Sequence, residues 1–182
     1  MARANDTQVK IEEMILIGIG SNLPSDYGPA RETCAAALDI LQQQEPITIV
    51  ARSRWYRSSP VPMSDQPWFV NGVIAVESEL DPVALLAALH RIEAVFGRPS
   101  QEARIATPNA PRTLDLDLLA YHDVIRDGPE PPILPHPRLA ERAFVLLPMR
   151  EIAPDWRHPV DGRALADLIE ALSGEGIVQP ID

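Results

Sequence analysis

Lysine is almost absent from this chain: Lys10 stands alone, and every other basic residue is an arginine. An arginine fork matches the planar geometry of carboxylate and phosphate, which an ammonium meets only as a point charge. The same bias also follows from genome composition. Net positive charge is lacking too: 26 acidic residues against 16 basic ones give −10, which argues against a nucleic-acid binder with its usual basic face. With one cysteine, Cys34, no internal disulfide can form, and a reducing, cytoplasmic setting is expected. No apolar run reaches the length of a membrane span, so no membrane partner is expected. The N-terminal "MARANDTQVKIEE" lacks the apolar centre of a signal peptide. There is no G-x-x-x-x-G-K-[ST] phosphate loop and no G-x-S-x-G elbow. His90, His122, His136 and His158 have no zinc spacing with one another or with Cys34.

What is present, 46% hydrophobic and 23% charged over 182 residues, reads as one globular domain over 13–182 behind a flexible tail over 1–12. "MILIGIG" predicts a buried strand running into the turn "GSNLPSDYG"; its G-x-G is a weak phosphate signal, because Leu23 replaces the last glycine of the dinucleotide fingerprint. Residues 29–44 predict a helix. Ile47 to Ser58 predicts a strand, "SPVPMSDQP" a proline-broken loop, and Trp68 to Ser78 another strand. In "DPVALLAALHRIEAVFG", Asp81 is the expected N-cap, Pro82 opens the helix and Gly97 closes it. A polar loop over 98–110 then leads to a strand in "PRTLDLDLLAY". The order β-α-β-β-α-β predicts an α+β fold with a ferredoxin-like core: an antiparallel sheet with helices on one face. The proline-rich last third predicts loops, short strands and a helix near Ala164 to Leu172, as a C-terminal extension.

The strand "LDLDLL" poses a physical problem. Asp115 and Asp117 are two apart and share a face, so their charges repel. Bulk water, arginines or a cation must offset that repulsion. A solvated strand face is the plain reading. The other is a magnesium site, since Mg2+ is held by one or two carboxylates together with substrate phosphates. Arg98, Arg112, His136, Arg138 and Arg142 surround the pair in sequence and favour a phosphate-plus-metal site. In "QPWFVNG", Phe69 and Asn71 also share a face. They are either a core ring with a polar edge residue or a ring and amide suited to a flat heterocycle.

Taken together, "IGIGSNL", "YRSSPV", "QPWFVNGV", "LLAALHRIEAVFGR", "PRTLDLDLL" and "LPHPRLAERAFVLLPMREIAP" resemble the 6-hydroxymethyl-7,8-dihydropterin pyrophosphokinase family of folate biosynthesis. The resemblance runs from Ile15 to Trp156. It implies an α+β fold with a ferredoxin-like core, and transfer of the β,γ-pyrophosphoryl group of ATP to the pterin hydroxymethyl oxygen with release of AMP. It implies two Mg2+ ions at Asp115 and Asp117, with catalytic roles for both aspartates and for Arg98 and Arg112. Glu93, Arg98, Arg112, His136 and Arg142 match nucleotide- or phosphate-side positions. Phe69 and Phe144 match the rings that sandwich the pterin, Asn71 the amide that reads it, and Ser58, Ser59 and Val61 the loop lining the same pocket. The small-molecule partners implied are ATP and 6-hydroxymethyl-7,8-dihydropterin, bound by a monomer. One departure is Ser100, where the family often carries a second basic loop residue; Arg104 is expected to supply that charge, on a loop expected to act as a lid. The competing readings are a non-catalytic nucleotide- or pterin-binding paralogue and a metal-dependent nucleotidyl transferase, the latter disfavoured by the negative charge.

Overall fold

The computed structural model describes residues 14–98, 110–174 and 176–181. The N-terminal tail and the loop segment 99–109, with Ser100 and Arg104, lie outside the described residues. The central strand β1 (Ile15–Ser21) pairs antiparallel with β4 (Phe69–Ser78) on one side and β5 (Asp115–Tyr121) on the other. Both β2 (Ile47–Arg52) and β3 (Trp55–Ser58) pair with β4, and β6 (Val178–Ile181) pairs with β3. The result is a six-stranded antiparallel sheet in the order β5-β1-β4-β3-β6, with β2 on β4.

The two helices of the expected β-α-β-β-α-β core lie on one face of the sheet, and the helices of the C-terminal extension cover the other. Ile15, Ile17 and Ile19 of β1 enter one core with α1 (Ala30–Gln42) and α2 (Pro82–Val95). Leu16, Val73 and Leu119 enter a second core with α3 (Ala143–Ile152) and α4 (Leu165–Glu170). A sheet covered on both faces needs apolar residues at consecutive positions of its central strand, and "ILIGI" supplies them. At the start of α2 the Asp81 side chain accepts a bond from Ala84 N at 2.8 Å, as a cap should, and Gly97 follows the helix at φ +75°.

The expected strand over 47–58 is in fact two. Ser53 breaks it: its N donates to Val73 O at 2.9 Å, and its Oγ accepts from Val73 N at 3.0 Å while donating to Arg54 O at 2.7 Å. A side-chain hydroxyl thus takes over one ladder position, and the chain bends there. Gly72 makes room for Trp55, the first residue of β3, because a Cβ on it would lie 2.9 Å from the Trp55 ring. In the last third, α4 and β6 answer to the expected helix and short strands, whereas α3 was not anticipated. Pro148 lies inside α3 and has no N–H to return to the carbonyl four residues back, which makes its sequence read as a break.

Candidate active site

Strand β5 carries both aspartates on one face, while Leu116 and Leu118 on the other are buried in the first core. Across the ladder, Gly20 stands opposite Asp115 and Gly18 opposite Asp117. Cross-strand partners share a face, so the glycines leave open floor beside the carboxylates. Both line a cavity of about 740 Å3. The G-x-G of the first strand is thus a space-making device, with the isoleucines turned into the core and no side chain on the cavity side. Sequence reading treated it as a weak phosphate signal; its pairing with the aspartates was the missing clue.

Arginines meet the aspartates. Arg98 Nη2 reaches Asp115 Oδ1 at 2.7 Å and Arg112 Nη1 reaches Asp115 Oδ2 at 2.7 Å, while Arg142 Nη1 binds Asp117 Oδ2 at 2.9 Å. Burial pushes the Asp115 carboxyl above its ordinary range; the Asp117 charge adds to this, and Arg112 and Arg98 oppose it. Arg142 Nε is buried and has no hydrogen-bond partner among the described residues. Arg112 is anchored through its backbone: its N donates to Asn22 Oδ1 at 2.8 Å, and its carbonyl accepts from Asn22 N at 3.1 Å. Asn22 escaped sequence reading, because a buried asparagine in a turn looks like any other turn residue.

Glu93, on α2 and fully buried, supports this layer from behind. Its Oε1 accepts from Leu116 N at 2.6 Å, between the two aspartates, and it pairs with Arg98. Neither Glu93 nor Arg98 is among the residues that line the cavity; their contacts are with β5 and Asp115. His136 also stands outside the lining. Its Nδ1 accepts from Arg138 N at 3.2 Å. Burial holds its pKa below the ordinary imidazole value, with the Asp117 charge working the other way.

The rest of the cavity is less polar. Phe69 and Asn71 of β4 both line it, as do Phe144 in the first turn of α3 and Ser58, Ser59 and Val61. Ser58 ends β3 and does not lie in the loop. Asn71 is buried, and its Nδ2 donates to Ser58 Oγ at 2.8 Å. The Arg142 guanidinium lies 5.6 Å from the Phe144 ring centre, so one residue pair joins the charged and aromatic halves.

The model of the 7,8-dihydro-6-hydroxymethylpterin-pyrophosphokinase (HPPK) family matches residues 16–154. The chain belongs to this family. An HPPK relative from Pseudomonas aeruginosa, named 2-amino-4-hydroxy-6-hydroxymethyldihydropteridine pyrophosphokinase, is 41% identical over 91% of this chain and 95% of its own length. One of the same name from Methylorubrum extorquens is 37% identical over 88% of this chain and 94% of its own. Among solved structures, wild-type Plasmodium falciparum HPPK-DHPS superposes with a TM-score of 0.63 at 12% identity. The match covers 86% of this chain and 44% of that longer one, and it shows the shared fold. HPPK enzymes use ATP and Mg2+. The donor set here fits Mg2+: two carboxylates face an open cavity, and among the described residues no cluster of three or more acidic, histidine or cysteine side chains completes a protein cage. Magnesium takes such a pair together with phosphate oxygens and water.

Proposed function

We propose that this chain transfers the β,γ-pyrophosphoryl group of ATP to the hydroxymethyl oxygen of 6-hydroxymethyl-7,8-dihydropterin and releases AMP, a step of folate biosynthesis. The observation that carries the reading is the meeting of two chemistries in one cavity. Asp115, Asp117, Arg112 and Arg142 line it together with Phe69, Asn71 and Phe144.

Phosphoryl transfer of this kind needs alignment and charge neutralisation more than covalent help. The aromatic side holds the flat pterin, with Phe69 and Phe144 against its faces and the Asn71 amide on its edge. The pterin hydroxyl oxygen forms a bond to the β-phosphorus, and the bond from that phosphorus to the oxygen bridging to the α-phosphate breaks. AMP leaves with the bridging oxygen, and the hydroxyl proton passes to solvent. Arg112 and Arg142 turn from the aspartates to the phosphates; the unmet Arg142 Nε is a donor ready for that role. Arg98, held by Glu93, keeps Asp115 in place from behind. Asp115 and Asp117 would hold Mg2+, two ions in our reading, which would supply neutralisation of the triphosphate charge.

In this reading residues 13–182 act as one pyrophosphokinase domain and as a monomer, in the cytoplasm where ATP is at hand. Incubation with Mg-ATP and 6-hydroxymethyl-7,8-dihydropterin, followed by nucleotide analysis, is the test. AMP in step with pterin consumption is expected; ADP as sole nucleotide product overturns the pyrophosphoryl assignment, and ATP binding without turnover points to a non-catalytic relative.

A further inference from the structure

One wall of the cavity comes from beyond the family match. Leu172, Ser173, Gly174, Gly176 and Val178 line it, whereas the family model ends at residue 154. Backbone pairing ties this wall to β3. Val178 lies opposite Ser58, and Ile181 opposite Trp55. The pairing continues past the strand: Ser59 N donates to Ile177 O at 3.0 Å, and Ile177 N donates to Ser59 Oγ at 3.0 Å. On its other side β3 faces β4, where the Ser58 hydroxyl accepts from the buried Asn71 amide at 2.8 Å. The C-terminal segment therefore holds Ser58 and Ser59, both of which line the cavity, and Ser58 in turn holds Asn71.

Gly176 leaves little room beside the Ser59–Val61 stretch. Its φ is +83°, and a Cβ added there would lie 3.0 Å from Val61 Cγ2 and 3.2 Å from Ser59 Oγ. Any side chain must push the Ser59–Val61 stretch or move the segment itself. We infer that Leu172–Gly174 and Gly176–Val178 form a positioning element for the heterocycle side of the cavity, setting Ser58, Ser59 and Val61 and, through Ser58, the Asn71 amide. Gly176 is its specific contact. This rests on the pterin reading of the cavity given above.

The test separates steric contact from backbone strain. Gly162 has φ +72° and nothing within 4 Å of an added Cβ, and it does not line the cavity. Gly162→Ala therefore carries the strain of a positive-φ alanine without the contact. Pterin is titrated by fluorescence in the presence of Mg and a non-hydrolysable ATP analogue, and the analogue is titrated separately. Gly176→Ala is expected to weaken pterin binding about ten-fold, to raise the pterin KM in parallel, and to leave analogue binding unchanged. Gly162→Ala is expected to change neither. Pterin binding by Gly176→Ala within about two-fold of wild type, or equal loss of both ligands, overturns the inference. Deletion of residues 173–182 is a second arm, expected to cost more pterin affinity than Gly176→Ala in a chain that keeps its near-ultraviolet dichroism. Wild type that binds pterin yet forms no AMP defeats the transfer reading and leaves the positioning inference to these titrations.

Discussion

Asp115 and Asp117 look equivalent in sequence but not in space. Asp115 holds two guanidiniums, one on each oxygen, whereas Asp117 holds one. Both Asp115→Asn and Asp117→Asn remove a charge that we propose binds metal, and each is expected to lower kcat by about 10²-fold or more. The stability effects should differ. Asp115→Asn leaves Arg98 and Arg112 facing a neutral amide, so it should lower the melting midpoint more than Asp117→Asn. Activity titrated against Mg2+ and a thermal melt of each variant check this; near-wild-type turnover at low Mg2+ in both would mean the face is merely solvated. Phe144 offers a second residue-scale test. Phe144→Ala is expected to weaken pterin binding by about 1–3 kcal/mol through lost stacking and burial, with ATP-analogue affinity nearly unchanged. Equal loss of both ligands in a folded variant would move Phe144 out of the pterin side.

At the scale of elements, α3 positions the site through both ends. Arg142 caps it and Phe144 sits in its first turn. Near its other end, Glu151 accepts bonds from Arg54 N at 2.9 Å, Arg54 Nη2 at 2.7 Å and Tyr56 Oη at 2.6 Å. This clamp ties the helix to the bend between β2 and β3. Burial works upward on the Glu151 carboxyl, but the bonds from Arg54 and Tyr56 outweigh it and hold the carboxyl below its ordinary 4.5. A carboxyl depressed by folding adds stability above its unfolded value and loses it as the pH falls through the folded one. The clamp should thus be intact above pH 4.5 and fade below it. Glu151→Gln is expected to lower the midpoint by a few degrees at neutral pH, with a smaller difference from wild type as the pH drops below that value. A difference that stays constant down to about pH 3 would show that the carboxylate charge contributes nothing.

For the whole molecule, the site is where charge and ligand link to folding. In the proposed reading, guanidiniums now paired with carboxylates gain phosphate partners when nucleotide binds with its metal. A ligand that binds only the folded chain stabilises it by about 2.7 kcal/mol at a hundred times its Kd, a rise in midpoint on the order of 5–10 °C for a chain of this size. A non-hydrolysable ATP analogue is expected to produce this rise with Mg2+ and a much smaller one with EDTA. An equal rise in EDTA would remove the metal from nucleotide binding. Adding pterin should raise the midpoint further, since the two ligand chemistries share one cavity.

Local chemistry was legible without coordinates. Alternation in "LDLDLL" put both carboxylates on one face, the Asp81-Pro82 start and Gly97 end delimited a helix, and Phe69 and Asn71 fell on one side of a strand, because such patterns depend on neighbours along the chain. Family membership was legible too, through motifs spread from Ile17 to Pro154. What sequence left open was which partner relieves the Asp115/Asp117 repulsion; in the fold described, arginines from the end of α2, the approach to β5 and the start of α3 do so. Tertiary structure alone decided that both faces of the sheet are covered, that Ser53 splits one strand in two, that a helix persists through Pro148, and that Gly18 and Gly20 form open floor. It also brought Leu172, Ser173, Gly174, Gly176 and Val178 onto the cavity. Each of these depends on contacts between segments far apart in sequence, where register and packing overrule local preference.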